Sequence, residues 1–333
     1  MTIVTFGEML LRLSPNGFKR FRQTDRFETW FGGAEANVAA ALAQWGVQSA
    51  FVSKMPDHEI GQGAIDSLRK FGVDPSQIVR GGDRIGIYFC EKGASQRPSK
   101  VIYDRKHSAF ATAARGDFDW NCILDGADWF HITGITPALG GEIPDICRDA
   151  LEICRERKIK VSCDLNYRST LWSREQARKI LTPFMSCISV CIANEGSVED
   201  VFGITGEGSS PEERALNSAC KLHEIFGFEK IAYTMRESVS ASENGWAALL
   251  YDGSSGFISR RYCLNIVDRI GGGDTFAAGV IFGLMTGWDA QHTVEFAAAA
   301  GALKHSVEGD VLVAGLGEVE ALANGDSSGR VRR

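Results

Sequence analysis

The chain of 333 residues contains no apolar run approaching the ~18 residues of a membrane-spanning helix, so no membrane partner is expected. Two nucleotide signatures are missing as well. No GK[ST] follows a glycine run, which excludes a Walker A loop. No GxGxxG follows the first strand-like segment, where the chain reads Phe6-Gly7-Glu8-Met9, and a nicotinamide oxidoreductase on a Rossmann fold loses its main support. Neither HExxH nor CxxC occurs among six histidines and nine cysteines. The cysteine number is odd, and Cys163 and Cys191 sit in the apolar runs KVSCDLN and SVCIAN. This describes a reduced protein that uses cysteine as a small hydrophobe, not a disulfide framework or a metal site. Positive charge is not in excess. Lys and Arg number 36 against 42 Asp and Glu, which argues against general nucleic-acid binding but not against a small anion held by a local cluster. The opening MTIVTFGEML shows neither the basic start nor the cleavage site of a signal peptide and reads as a buried strand, so a cytoplasmic location is expected.

From about residue 112 onward, strand-like and helix-like segments alternate. The patterns at 128–133, 160–165, 188–193 and 230–234 predict strands, and those at 143–157, 175–185, 198–202 and 211–226 predict helices. Strands at 246–251 and 256–262 flank a turn, and helices at 275–285 and 290–306 close the chain. Such alternation predicts an α/β fold, an αβα sandwich with a mostly parallel sheet whose strand C-termini form the ligand edge. Two stretches break the rhythm, 10–31 and 85–111. They read as short strands without helices, either a small β-sheet lid built from two distant pieces or extra edge strands. The core is then expected at 1–9, 32–84 and 112–325, with a mobile tail at 326–333.

The strongest local signal is Asp268-Arg-Ile-Gly-Gly-Gly-Asp-Thr-Phe, followed by a helix rich in small residues. Successive glycines let backbone N–H groups converge, and at a helix start those donors join the positive end of the dipole. Phosphoryl transfer needs such an anion site, and Asp274 at its edge is placed to accept a proton from an attacking hydroxyl. Taken alone, Asp274 reads equally well as an ordinary N-cap. A second pair, Gly32-Gly33, precedes a helix predicted from Val38. Gly33 there would let a ligand approach the backbone, and Asn37 would reach sugar hydroxyls, although a plain strand-to-helix turn explains the pair as well.

Together the two glycine motifs, about 240 residues apart, resemble the paired signatures of the ribokinase-like (phosphofructokinase-B type) carbohydrate kinases. The stretches Gly134–Leu139, Asp164–Trp172, Tyr103–Ala109, Thr234–Ser238 and Lys304–Asp310 resemble the branch that phosphorylates 2-keto-3-deoxygluconate. The resemblance implies ATP and Mg2+, with a monovalent cation such as K+ common beside the site. It implies Asp274 as general base and Gly271, Gly272 and Gly273 as the anion hole. Gly33, Tyr88, Tyr103, Arg105, Arg168 and Asp310 would then face the acid sugar, and Asn194, Arg236 and Gly273 the nucleotide. A homodimer through the lid is expected, because a projecting sheet leaves an apolar face and free edges.

Two departures stand out. The turn reads GGG where the family usually has GAG. The family's N-x-x-E run reads Asn194-Glu195-Gly196-Ser197, so Glu195 or Glu199 would have to serve the metal, unless Mg2+ rests mainly on the nucleotide phosphates. A kinase for a neutral sugar or a nucleoside (ribose, fructose, adenosine) and a non-catalytic sugar sensor are the competing readings. Arg105 and Arg168 speak against the first, since a neutral sugar offers no carboxylate, and the intact Asp274 turn speaks against the second.

Overall fold

A computed structural model of the chain describes residues 1–326. Its strands, in chain order, are β1 Thr2–Phe6, β2 Leu10–Pro15, β3 Phe27–Gly32, β4 Gln48–Met55, β5 Ile78–Arg80, β6 Gly86–Glu91 and β7 Lys100–Asp104. They continue with β8 Trp129–Thr133, β9 Lys160–Asp164, β10 Val190–Ala193, β11 Lys230–Ser238, β12 Glu243–Tyr251, β13 Gly256–Ile258 and β14 Tyr262–Asn265. Ten of them form one sheet in the order β13-β12-β11-β10-β9-β8-β1-β4-β5, with β14 also paired to β12. From β5 to β11 every neighbouring pair is parallel, and β12 turns antiparallel. Strands β8 and β10 are buried along their whole length, as strands covered on both faces must be. One apolar core gathers Phe6, Phe130, Ile146 and Leu222, and the other gathers Trp45, Trp246, Phe276 and Phe296. These are the two helix layers of the expected αβα sandwich. Among the described residues no helix is long and apolar enough to cross a membrane.

The two stretches that broke the rhythm meet in one four-stranded sheet, β3-β2-β6-β7. Each supplies an antiparallel hairpin, and parallel pairing of β2 with β6, from Leu10↔Gly86 to Leu13↔Phe89, joins them. We propose this sheet as the lid, with the boundaries expected above; β3 ends one residue later than the expected lid, at Gly32. Its inner side packs Leu10, Tyr88 and Cys90 against Ile270 of the core.

Alternation along β2 turns Arg12 inward with Leu10 and Ser14. Its fully buried guanidinium donates from Nη2 to Asp268 Oδ2 (2.7 Å) and from Nη1 to Asp310 Oδ1 (2.9 Å). Asp268 precedes the glycine turn and Asp310 follows the helix Ala290–Lys304, so one lid side chain binds both flanks of the turn.

Several element boundaries differ from the sequence expectation. The helices expected from Val38, Val198 and Thr275 run over Ala34–Gln44, Glu195–Phe202 and Gly272–Met285. In each, the first turn holds small or polar residues without an apolar period, so periodicity begins late. The strand expected at 256–262 is two, β13 and β14, and β11 runs on to Ser238. Apart from Asp326, the expected tail lies outside the described residues.

Arg12→Met is expected to lower stability by about 3–5 kcal/mol, because it leaves Asp268 and Asp310 buried without their shared partner. Urea unfolding followed by fluorescence measures this. A loss below about 0.5 kcal/mol, the level of an ordinary surface change, would show that the lid is anchored elsewhere.

Candidate active site

A cavity of about 930 Å³ lies between the lid and the C-terminal ends of the parallel strands. Its core side is made by residues that end or follow strands: Asp164 and Arg168 after β9, Asn194 after β10, and the turn Gly271–Asp274. Tyr88, Tyr103 and Arg105 close it from the lid side.

The glycine turn sits at the start of the helix Gly272–Met285. Gly271 is its N-cap, at φ +82° in the left-handed region that favours glycine. A side chain at Gly271 would strike the carbonyl of Asp310, and a Cβ at Gly272 would lie 2.5 Å from His305 Cε1. Nothing lies within 4 Å of a Cβ built at Gly273, which faces the cavity. The first two glycines are therefore demanded by packing, and His305 explains why position 272 departs from the family's Ala. No side chain caps this helix, so its first N–H groups and the positive dipole end remain available to an anion. Asp274 lies in the first helical turn and is not the N-cap.

Asn37 Nδ2 donates to Asp274 Oδ2 at 2.7 Å. Burial raises the Asp274 carboxyl to about 6, while the Asn37 hydrogen bond and the charge of Arg168 pull it down. Two further acids share this floor, and neither was expected from the sequence. Burial and the charge of Asp274 push Asp164 to about 7. Burial also raises Glu35, whose Oε1 accepts from the Thr133 N–H (2.9 Å), Thr133 Oγ1 (2.8 Å) and Thr136 Oγ1 (2.5 Å). The available signal for Asp164 was its place at the end of a strand on the ligand edge. Glu35 was hidden inside the first glycine motif.

Arg168, Arg236 and Arg269 also line the cavity. The guanidiniums of Arg168 and Arg236 form no hydrogen bond or ion pair among the described residues, and Arg236 lies over the Trp246 ring at 5.4 Å. Burial and the charges of Arg269 and Arg168 lower the pKa of Arg236. Arg269, also on the cavity, donates only to the Ala241 carbonyl at 3.0 Å. Three arginines without acidic partners fit phosphate or carboxylate oxygens.

Gly33, Asn37, Tyr88, Arg105 and Asp310, expected to face the substrate, all line the cavity, and each also meets a group of the protein itself. The amide of Asn37 is taken by Asp274. The Tyr88 hydroxyl donates a short hydrogen bond to Asp310 Oδ2, and Arg12 takes the other oxygen of Asp310. Arg105 donates from Nε to Glu8 Oε2 at 2.7 Å, and Ser108 Oγ donates to the second oxygen of Glu8. Nε and Nη2 of Arg105 are thus held by Glu8, while its Nη1 has no hydrogen-bond partner among the described residues and the residue lines the cavity. At Gly33 it is the Glu8 carbonyl, not a ligand, that a side chain would strike. Tyr103 is exposed on the lid and lines the cavity as expected.

Asn194 caps the helix Glu195–Phe202 by accepting from Ser197 N at 2.9 Å, while Ser197 Oγ donates back to the Asn194 carbonyl at 2.9 Å. Ser197 thus completes the helix start instead of offering a carboxylate. Glu195 lies 3.9 Å from Arg214 Nε. Among the described residues no three His, Cys, Asp or Glu side chains gather into a metal site. The residues present therefore suit a Mg2+ carried in on polyphosphate better than a protein cage.

An uncapped helix start at the strand ends, a carboxylate in its first turn, arginines without acidic partners and a covering sheet define a lidded α/β phosphotransferase. Residues 2–313 match the model of the pfkB family of carbohydrate kinases, and the chain belongs to that family. It is 33% identical over 329 residues to a 2-dehydro-3-deoxygalactonokinase of Haloferax volcanii, covering 98% of each chain. It is 29% identical over 312 residues to a 2-dehydro-3-deoxygluconokinase of Bacillus subtilis, covering 92% of this chain and 90% of that one. The crystal structure of a 2-dehydro-3-deoxygluconokinase from Thermotoga maritima superposes with a TM-score of 0.96 at 51% identity, covering 98% of each chain.

A carboxylate in the position of Asp274 can accept a proton only when ionised. The kcat/KM of the enzyme is therefore expected to fall about tenfold per pH unit below an apparent value near 6, with Asp164 coupled into the limb. Asn37→Ala removes a hydrogen bond that favours the ionised form, so the limb moves to higher pH. A pH–rate profile of both proteins measures this; an unmoved limb would detach Asn37 from the group that titrates.

Proposed function

We propose that the chain phosphorylates 2-dehydro-3-deoxygluconate on its primary hydroxyl with ATP as donor. The observation that carries the acid-sugar part is Arg168. It stands on the cavity after β9, unpaired, where a planar cation can grip a carboxylate while the sugar's other end meets Asp274. The relatives named above, a gluconate-type enzyme at 51% identity and a galactonate-type enzyme at 33%, support the same substrate class.

In this reading Asp274 accepts the hydroxyl proton as the new P–O bond forms and the bond to the leaving diphosphate breaks. The N–H groups of Gly272, Gly273 and Asp274 meet the charge on the transferring oxygens. Arg236 and Arg269 would hold the nucleotide phosphates, with Asn194 at the mouth of that end. Mg2+ on those phosphates would supply charge neutralisation. The lid would shut out water and so limit wasteful hydrolysis. The potassium ion that the resemblance suggested is not part of this reading, because a lysine ammonium already lies behind the turn. We infer as well that two copies pair through their lids in the cytoplasm. Phe27 and Ile102 on the lid strands are 40% and 44% exposed and lie beside Phe89 on the face turned away from the cavity, an apolar face that a second copy would cover.

ADP release, measured with ATP, Mg2+ and a panel of 2-dehydro-3-deoxygluconate, gluconate, ribose, fructose and adenosine, tests the reading. Turnover confined to the keto-deoxy acid is expected, and turnover on a neutral sugar alone would overturn the acid-sugar assignment. Asp274→Asn is expected to lower kcat by ~10² to 10⁴ with the fold intact by circular dichroism. Near-normal turnover would remove Asp274 as base. Arg168→Ala should mainly raise KM for the sugar acid, and an unchanged KM would place the carboxylate elsewhere.

A further inference from the structure

Lys304 is the last residue of the helix Ala290–Lys304 and is wholly buried. It does not line the cavity. Its Nζ donates to the Val307 carbonyl at 2.9 Å, and its stem passes behind the catalytic turn, where a Cβ at Gly271 would lie 3.2 Å from Lys304 Cε. The chain from Lys304 to Asp310 wraps the back of the turn and is tied to it. Gly309 N donates to Asp268 Oδ2 at 3.3 Å, and Asp268 Oδ1 accepts from Ile270 N at 3.1 Å.

Four charged side chains meet in this space, all nearly inaccessible: Arg12 at 0%, Lys304 at 0%, Asp268 at 3% and Asp310 at 3%. Two cations balance two carboxylates. Burial lowers Lys304 to about 8, and the fields of Asp268 and Asp310 oppose that fall, so the ammonium persists at neutral pH. Of the four, Asp310 also lines the cavity, whereas Arg12, Asp268 and Lys304 do not.

A potassium ion in this place would need oxygen ligands and an uncompensated negative charge. Behind the turn the Val307 carbonyl accepts from Lys304, the carboxylates of Asp268 and Asp310 accept from Arg12, and the His305 carbonyl accepts from Val267 N and Asp268 N. The residues present therefore do not fit an added monovalent cation.

We propose that the Lys304 ammonium is the resident monovalent cation of this kinase: it holds the Gly271–Asp274 turn against the Lys304–Asp310 segment and balances Asp268 and Asp310, so that no K+ is required. Lys304 is on this account a positioning residue. Its catalytic consequence rests on the phosphotransfer reading of the turn, while its binding consequence does not.

The test compares wild type, Lys304→Ala and Lys304→Met in potassium chloride and in tetramethylammonium chloride at equal ionic strength, reading both the melting temperature and the rate of ADP release. Wild type is expected to give the same values in both salts. Lys304→Ala opens room for an ion, so in tetramethylammonium its kcat should fall about tenfold or more with little change in KM, and potassium should restore most of it. Its melting temperature should rise by several degrees in potassium, a shift that a merely structural lysine would not produce. Lys304→Met fills the space without charge and should respond to neither salt. Strong stimulation of wild type by potassium would overturn the proposal, and this arm needs no variant to fold. A Lys304→Ala protein whose melting temperature ignores potassium would overturn it too. If wild type turned over none of the sugars while the alanine variant still gained stability from potassium, the kinase reading would fail and the Lys304 assignment would stand.

Discussion

A single buried arginine decides where the lid sits and what shape the glycine turn can take. Arg12 reaches out of β2 to Asp268 before the turn and to Asp310 beyond it, at 2.7 and 2.9 Å. An arginine removed from water is tolerable only with such partners, and each carboxylate likewise needs the guanidinium. The lid, the turn and the last stretch of the core are thus three parts of one electrostatic unit. Tyr88 joins it through Asp310, which leaves the lid's second hairpin tied to the same point.

The cavity carries charges of both signs. Burial lifts its acids Asp274 to about 6 and Asp164 to about 7. Burial and the opposing charges of the neighbouring arginines lower the proton affinity of Arg236. Neither arrangement favours the empty protein. Both suit a ligand that brings a proton to the acids and negative oxygens to the arginines, which is what a sugar hydroxyl beside a polyphosphate does. The packing of His305 and of the Asp310 carbonyl against Gly272 and Gly271 holds the N–H groups in place before any ligand arrives.

Much of the fold was legible because its signals are local. The helices Ile143–Arg157 and Pro211–Phe226 and the core strands follow from apolar period and from the alternation of elements. The lid was legible as an interruption of that rhythm. Helix starts were read late at Ala34, Glu195 and Gly272, and those first turns are where the chemistry is concentrated. Polar residues at a helix start leave no apolar period to read. Most of the expected site residues gather on one cavity, but their contacts with one another were not legible. Types were right, but the partner of each was invisible, since Asn37 meets Asp274 across 237 positions and Arg105 meets Glu8 across 97. A pairing set by tertiary contact leaves no mark in a single sequence.

The isolation of Arg168 has a consequence for how this protein can change over time. Its guanidinium supports no other side chain among the described residues, and it is exposed on a loop. Replacing it therefore leaves the core, the lid anchor and the turn as they are. Selection acts on this codon through the ligand and through the field that lowers the Asp274 and Asp164 carboxyls. On the proposed reading of Arg168, preference for an acid over a neutral sugar is separate from foldability, and lineages on this scaffold can drift between the two without passing through an unstable ancestor.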